Sequence, residues 1–182
     1  ERKGKNHTFK FEGGIIEFVE YLNANKSQIH NDPIYFTAKS GDVSIEIAMQ
    51  YSESYVENIF SFANNINTTE GGAHLSGFKG ALTRTINDYA RSNNILKEKD
   101  ANFLGEDIRE GLTAIISVKL KDPQFEGQTK AKLGNSEVKG FVETFVNEKL
   151  QEFFEENIAV AKAVINKSMV AAQAREASRK AK

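Results

Sequence analysis

The sequence predicts an α+β domain with a helical extension, and three observations carry that prediction. Val43, Ile45, Ile47 and Met49 alternate with Ser44, Glu46, Ala48 and Gln50, the period of a strand with one face in a core. Leu75, Phe78, Leu82, Ile86 and Tyr89 fall at helical spacing. From Ser136 onward a helical stripe runs almost to the end of the sequence, so strands gather in the first two thirds and helices in the last. At 182 residues the chain is long enough for one domain with a real core and short for two.

Residues 1 to 6 are charged and read as linker. His7 to Phe11 places Phe9 and Phe11 on one face, as a half-buried strand does. Ile15, Ile16, Phe18, Val19 and Leu22 form a short helix that ends near Asn23-Ala24-Asn25. Pro33 opens a strand at Ile34 to Lys39, and Ser40-Gly41-Asp42 turns the chain into the alternating run. Glu57 to Asn64, with Ile59, Phe60 and Phe62, reads as a third strand, and the three together predict an antiparallel meander. The helix from Leu75 to about Asn93 lies on that sheet, Asn94 to Glu106 reads as loop, and Leu112 to Leu120 is the most strand-like run.

Asp122-Pro123 turns the chain into a loop, Gln124 to Ser136. At its centre stand Gln128, Thr129 and Lys130, just after Gly127. A lysine ammonium is a point charge suited to phosphate, and a glutamine amide beside it can donate to the same oxygens. A loop held between rigid elements is a common carrier of function. Ser136 reads as the N-cap of the next helix, with Glu137 in the first turn. Val138, Phe141, Val142, Phe145, Leu150, Phe153 and Phe154 form its apolar stripe, and Ala161, Val164, Ile165, Ser168 and Ala172 a second one, without a terminating Gly or Pro. The last segment reads as a helix that goes on toward another domain.

Composition narrows the class. Hydrophobic residues at 40% and charged residues at 27% suit a soluble globular chain, and the absence of Cys excludes disulfides, thiolate metal sites and a cysteine nucleophile. No apolar run of about 18 residues occurs, so the expectation is a cytoplasmic protein without a membrane segment. A net charge of -1 argues against nucleic acid coating the whole surface, but from Asn157 to Lys182 six basic residues face the single acid Glu176. That segment reads as a solvated connector or as a polyanion-binding tail. On the helix after Gly72, Arg84 and Arg91 share a direction while Lys79 points about 140° from Arg84, nearer the apolar edge. Gly72 to Gly77 fails the phosphate-loop pattern by one residue, because Phe78 precedes Lys79. His7, His30 and His74 have no ligand spacing and read as surface or capping residues, so no metal site is expected. No nucleophile motif appears, and the chain does not read as a complete enzyme.

An ordered set of motifs goes further. Arg109-Glu110-Gly111-Leu112-Thr113-Ala114, Asp122 to Lys130 and Leu133 to Val138 resemble the transducer domain of the DNA gyrase B family. The resemblance continues through Phe11 to Ile15, Tyr21-Leu22-Asn23, Pro33 to Phe36, Asn64 to Asn67, Gly71 to Leu75 and Ala172 to Lys180, and so spans nearly the whole chain. It implies a ribosomal protein S5 domain 2-like fold, a two-layer α/β sandwich with a left-handed βαβ crossover, at residues 1 to 156. Residues 157 to 182 would be the connecting helix. It further implies that Gln128 and Lys130 reach the γ-phosphate of ATP, with Thr129 as spacer. The pocket and its Mg2+ would belong mostly to a domain missing here, leaving this chain inactive alone. Lys79, and more weakly Arg84, would line a cavity that holds DNA. The implied partners are DNA, the gyrase A protein and a second copy of gyrase B, in an A2B2 heterotetramer that supercoils DNA negatively. The corresponding ATPase component of topoisomerase IV is the close cousin. A non-catalytic nucleic-acid-binding module and a stand-alone phosphate-ligand enzyme using Lys130 are readings of other classes.

Overall fold

The computed structural model describes residues 14 to 181, so the strand expected at His7 to Phe11 lies outside the described residues. Helix α1 (Gly14–Leu22) leads into strands β1 (Ile34–Ser40), β2 (Val43–Tyr51), β3 (Asn58–Ala63) and β4 (Ile66–Asn67). Helices α2 (Ala73–Ser92) and α3 (Gly105–Arg109) precede β5 (Leu112–Lys119). The short strands β6 (Phe125–Glu126) and β7 (Lys132–Leu133) pair as a hairpin before helices α4 (Ser136–Glu156) and α5 (Ile158–Lys180).

The meander is corrected by the strand order β1-β2-β5-β3-β4. Strand β5 inserts between β2 and β3, antiparallel to the first and parallel to the second. All of β5 except Lys119 is buried, because a central strand is covered on both faces. The parallel pair β3 and β5 requires a crossover, and α2 with α3 supplies it. Asn64 and Asn65, at φ 50° and 68°, form the two-residue turn that joins β3 to β4, a strand too short to show as alternation.

One face of the sheet carries most of the core. Ile45, Ile47, Met49, Leu112, Ala114, Ile116 and Val118 meet Phe78, Leu82 and Ile86 of α2, Val142, Leu150 and Phe154 of α4, and Val164 and Ile165 of α5. The opposite face is capped by α1, whose Ile15 and Val19 pack on Ala48, Phe62 and Ile115. Beside that cap the buried polar groups are paired, as burial demands. Asn23 Nδ2 donates to Gln50 Oε1 at 2.9 Å, and Thr113 Oγ1 donates to Asn23 Oδ1 at 2.8 Å. Helices α2 and α4 approach closely at Gly77, where a Cβ would lie 2.7 Å from the Lys139 carbonyl oxygen.

Helix α3, within and just beyond the segment read as loop, is too short for a periodic signal and anchors α5. Its buried Asp107 accepts the Leu104 N–H through Oδ2 at 2.8 Å. Arg175 of α5 grips the same carboxylate from Nε and Nη2, each at 3.0 Å. About two turns earlier, Lys167 Nζ pairs with Glu110 at 3.3 Å and lies 4.9 Å from the centre of the Tyr55 ring. Replacement of Asp107 by alanine is expected to cost about 1 to 3 kcal/mol, since the Leu104 N–H loses its acceptor along with the Arg175 fork. Urea unfolding of Asp107→Ala beside Asp107→Asn checks this, and Asn should recover part of the loss by keeping the Leu104 bond.

Candidate functional site

Gln128, Thr129 and Lys130 stand at the tip of the β6/β7 hairpin, all exposed. Neither Gln128 nor Lys130 is engaged in a side-chain hydrogen bond or ion pair with the described residues, so amide and ammonium are free to meet a ligand. Lys130 adopts φ 59° and Gly127 φ 85°, two left-handed residues that bracket Gln128 and Thr129. That conformation comes without cost at glycine and at some cost at lysine.

The tip is exposed but its roots are held. Asn135, buried, accepts the Gln124 N–H at Oδ1 (2.6 Å) and donates from Nδ2 to the Asp122 carbonyl at 3.2 Å. The two ends of the loop are thereby tied across one side chain. Asn135 rather than Ser136 is the N-cap of α4, and its amide is spent on the loop instead of on the helix N–H groups. The same amide donates to Glu137 at 3.1 Å, which holds that carboxyl below its ordinary value. On the other root, Leu133 N–H donates to the Gly71 carbonyl at 3.0 Å and Glu70 N–H to the Ala131 carbonyl at 2.8 Å. The hairpin therefore leans on the segment that starts α2. Sequence reasoning found the tip and missed both roots; Asn135 between a glycine and a helix start was the available signal.

Lys79 and Arg84 diverge as their helical spacing predicts. Lys79 is half-buried, 3.6 Å from Glu57 Oε2, a carboxylate that also accepts Arg109 Nε at 3.1 Å. It lines a groove with Glu126, Lys132, Ser136 and Lys139 at the base of the hairpin. Arg84 is exposed elsewhere on α2 and does not join that groove. Much of the positive charge near the C-terminus is engaged internally: Lys167 by Glu110, Arg175 by Asp107 and Arg179 by Glu176 at 2.8 Å.

Two histidines read as surface or capping residues are buried instead. His30 accepts the Tyr51 N–H at Nε2 and donates from Nδ1 to the Asp32 carbonyl, and burial lowers its pKa. His74, in the first turn of α2, is fully buried and bonds Thr68 Oγ1 at 3.1 Å. Among the described residues no group of three or more His, Asp or Glu side chains gathers as a metal site would, and no helix is long and apolar enough to cross a membrane.

Known proteins with this sequence and shape agree with one another. The family model described as DNA gyrase B matches residues 14–182. The chain is 57% identical over 183 residues to the DNA gyrase B protein of Clostridium acetobutylicum, covering 100% of this chain and 29% of that one. Against the DNA gyrase B protein of Myxococcus xanthus it is 57% identical over 182 residues, 22% of the relative. Among solved structures, the 43K ATPase domain of Thermus thermophilus gyrase B in complex with an aminocoumarin superposes with a TM-score of 0.86 at 41% identity, over 93% of this chain and 46% of that one. The topoisomerase IV ATP-binding domain of Francisella tularensis gives a TM-score of 0.76 at 30% identity, over 92% of this chain and 44% of that one. The chain thus spans about a quarter of the curated relatives and under half of the solved ones. With 57% identity along its entire length and a family match from residue 14 to residue 182, the chain belongs to the DNA gyrase B family.

Proposed function

We propose that residues 1 to 156 are the transducer domain of a DNA gyrase B protein and that residues 157 to 182 connect it to the next domain. In this reading the chain relays ATP binding and hydrolysis in an adjacent domain to movements of the DNA gate. The observation that carries it is the tip of the β6/β7 hairpin, where Gln128 and Lys130 stand exposed and unpaired on roots clamped by Asn135 and Gly71. Side chains presented this way suit a phosphate brought by another domain: the Lys130 ammonium supplies charge and the Gln128 amide a directed donor. A contact to the terminal phosphate alone separates ATP from ADP, because a ligand shifts a conformational equilibrium only by its differential affinity.

The nucleotide, with its Mg2+, would be held mostly by the adjacent domain and would supply the hydrolysable phosphoanhydride. What this chain contributes is charge placed at the terminal phosphate, and a firm path from that charge to the body of the domain. Lys79 would offer backbone attraction to DNA from the groove wall, and exposed Arg84 a weaker one, neither of them reading bases. The partners are then DNA, the gyrase A protein and a second copy of gyrase B, as A2B2 in ATP-dependent negative supercoiling. Identity of 57% along the whole chain to two DNA gyrase B proteins favours gyrase. Engagement of Lys167 and Arg175 in ion pairs weighs against a module that binds nucleic acid through its tail.

Steady-state ATP turnover by full-length gyrase B, assembled with gyrase A, tests the reading. Lys130→Ala is expected to lower kcat by about ten- to 150-fold, the equivalent of one charge-assisted bond of about 1.5 to 3 kcal/mol, while the nucleotide still binds. Unchanged turnover would reduce the loop to a solvated turn.

A further inference from the structure

Gly72 occupies two structures at once. Its carbonyl accepts the Ser76 N–H at 2.9 Å as the first acceptor of α2, and its backbone forms a parallel bridge with Leu133 of the hairpin. Its φ of 125° and ψ of -158° are open to glycine alone. Space is as restrictive as angle: a Cβ there would lie 2.3 Å from the Leu133 carbonyl oxygen and 2.4 Å from its nitrogen. Leu133 in turn buries its side chain in the main core. The hairpin strand and the first residue of α2 thus touch backbone to backbone, flanked by the bonds from Leu133 to Gly71 and from Glu70 to Ala131.

Geometry makes this contact a joint between two distant groups. Lys130 is three residues from Leu133 on one side of it. On the other, α2 runs as a rigid rod from Ala73 and carries Lys79 about 9 Å along its axis from the start. The second root, at Asn135, ties the loop to its own ends and caps α4, so it meets α2 only by way of that helix, where Lys139 packs on Gly77. The direct path from the hairpin tip to α2 therefore runs through Gly72 and the Glu70 and Leu133 bonds.

From this we infer that Gly72 is a positioning residue, the joint through which occupancy at Gln128 and Lys130 alters the placement of Lys79 and hence the hold on DNA. The inference rests on the nucleotide and DNA roles proposed above. Because coupling between two ligands is reciprocal, DNA must change affinity for nucleotide by the same factor as nucleotide changes affinity for DNA, and both factors pass through this joint.

The test uses full-length gyrase B assembled with gyrase A, duplex DNA and a non-hydrolysable ATP analogue, measuring analogue affinity with and without DNA and DNA affinity with and without analogue. Unmutated protein is expected to show a coupling factor of about fivefold or more. Gly72→Ala, which pushes the hairpin from α2, should bring it to within about twofold of one. Glu70→Pro, at an exposed turn position, deletes the N–H that bonds Ala131 without adding bulk at the contact, and should reduce the factor in the same direction even if Gly72→Ala does not fold. A merely structural role would alter stability and leave the ratio of affinities in place. Retention of the full factor in a folded variant of either kind, or its absence in unmutated protein, overturns the proposal. Failure of the underlying reading shows separately, as unchanged turnover in Lys130→Ala.

Discussion

Truncation of Phe154 to alanine is expected to remove about 3 to 5 kcal/mol of stability, a large part of what a domain of this size possesses. Phe154 has 0% exposure and fills the seam between α4 and α2, its ring edge-on to Tyr89 with centroids 5.3 Å apart. Neighbours on two helices and the sheet cannot close the space it leaves, so the lost transfer energy is joined by the cost of the cavity. Phe153, one residue away, is half-buried and meets Phe36 at 6.5 Å. Its truncation should cost less than about 2 kcal/mol, because water can take the vacated volume. Urea unfolding of both variants checks the pair, with the midpoint shifted and the slope unchanged. Equal losses would mean that α4 is rotated about its axis from the arrangement described.

A second large effect concerns pH. His74 is buried without a charged partner, and burial lowers its pKa from the ordinary 6.5 to about 4. Thr68 Oγ1 donates to the Ser61 carbonyl at 2.8 Å, so it accepts a hydrogen bond from His74 Nε2–H, and Nδ1 has no partner among the described residues. A depressed folded pKa means that the unfolded chain takes up the proton first as pH falls. Stability from this residue is fully present above 6.5, drains away as pH falls from 6.5 to about 4, and changes no further below that, where both states are protonated. The loss between about pH 7.5 and about pH 4.5 should reach roughly 2 to 3 kcal/mol. Unfolding curves at the two pH values for unmutated protein and His74→Asn isolate it, since His30, also lowered by burial, is common to both. The variant should be less stable at neutral pH and show a shallower fall on acidification. Equal falls in the two proteins would place His74 in contact with water.

Most elements were legible in the sequence because each carries its own periodicity. The alternation from Val43 to Met49, the 3.6-residue repeat in α2 and the stripe from Val138 to Phe154 all appear where the pattern places them. The tip of the candidate site was legible as a loop, and the ordered motifs on either side of it, rather than the short Gln128-Thr129-Lys130 triplet itself, single it out. What supports the tip was not. Gly72 and Leu133 lie far apart in sequence, and nothing near either names the other. Asp107 and Arg175 are 68 residues apart; the first lies between the Asn94 to Glu106 loop and the Leu112 strand, the second in the connector, and neither names the other. The short α3 has no room for a repeat, and His74 looks polar until its surroundings are known.

By itself, then, the sequence determined the longer elements, their order along the chain, the family, and Gln128 and Lys130 as candidates in a loop, all of which reside in short stretches or in an ordered set of them. Tertiary structure decided that β5 separates β2 from β3, that α5 is pinned to α3, and that the hairpin bears on the first residue of α2. Each of these is a pairing across a long loop, chosen by the burial of both faces of β5 and by the space that only Gly72 leaves open. Such choices depend on the free energy of the whole packed chain, and no local pattern records them.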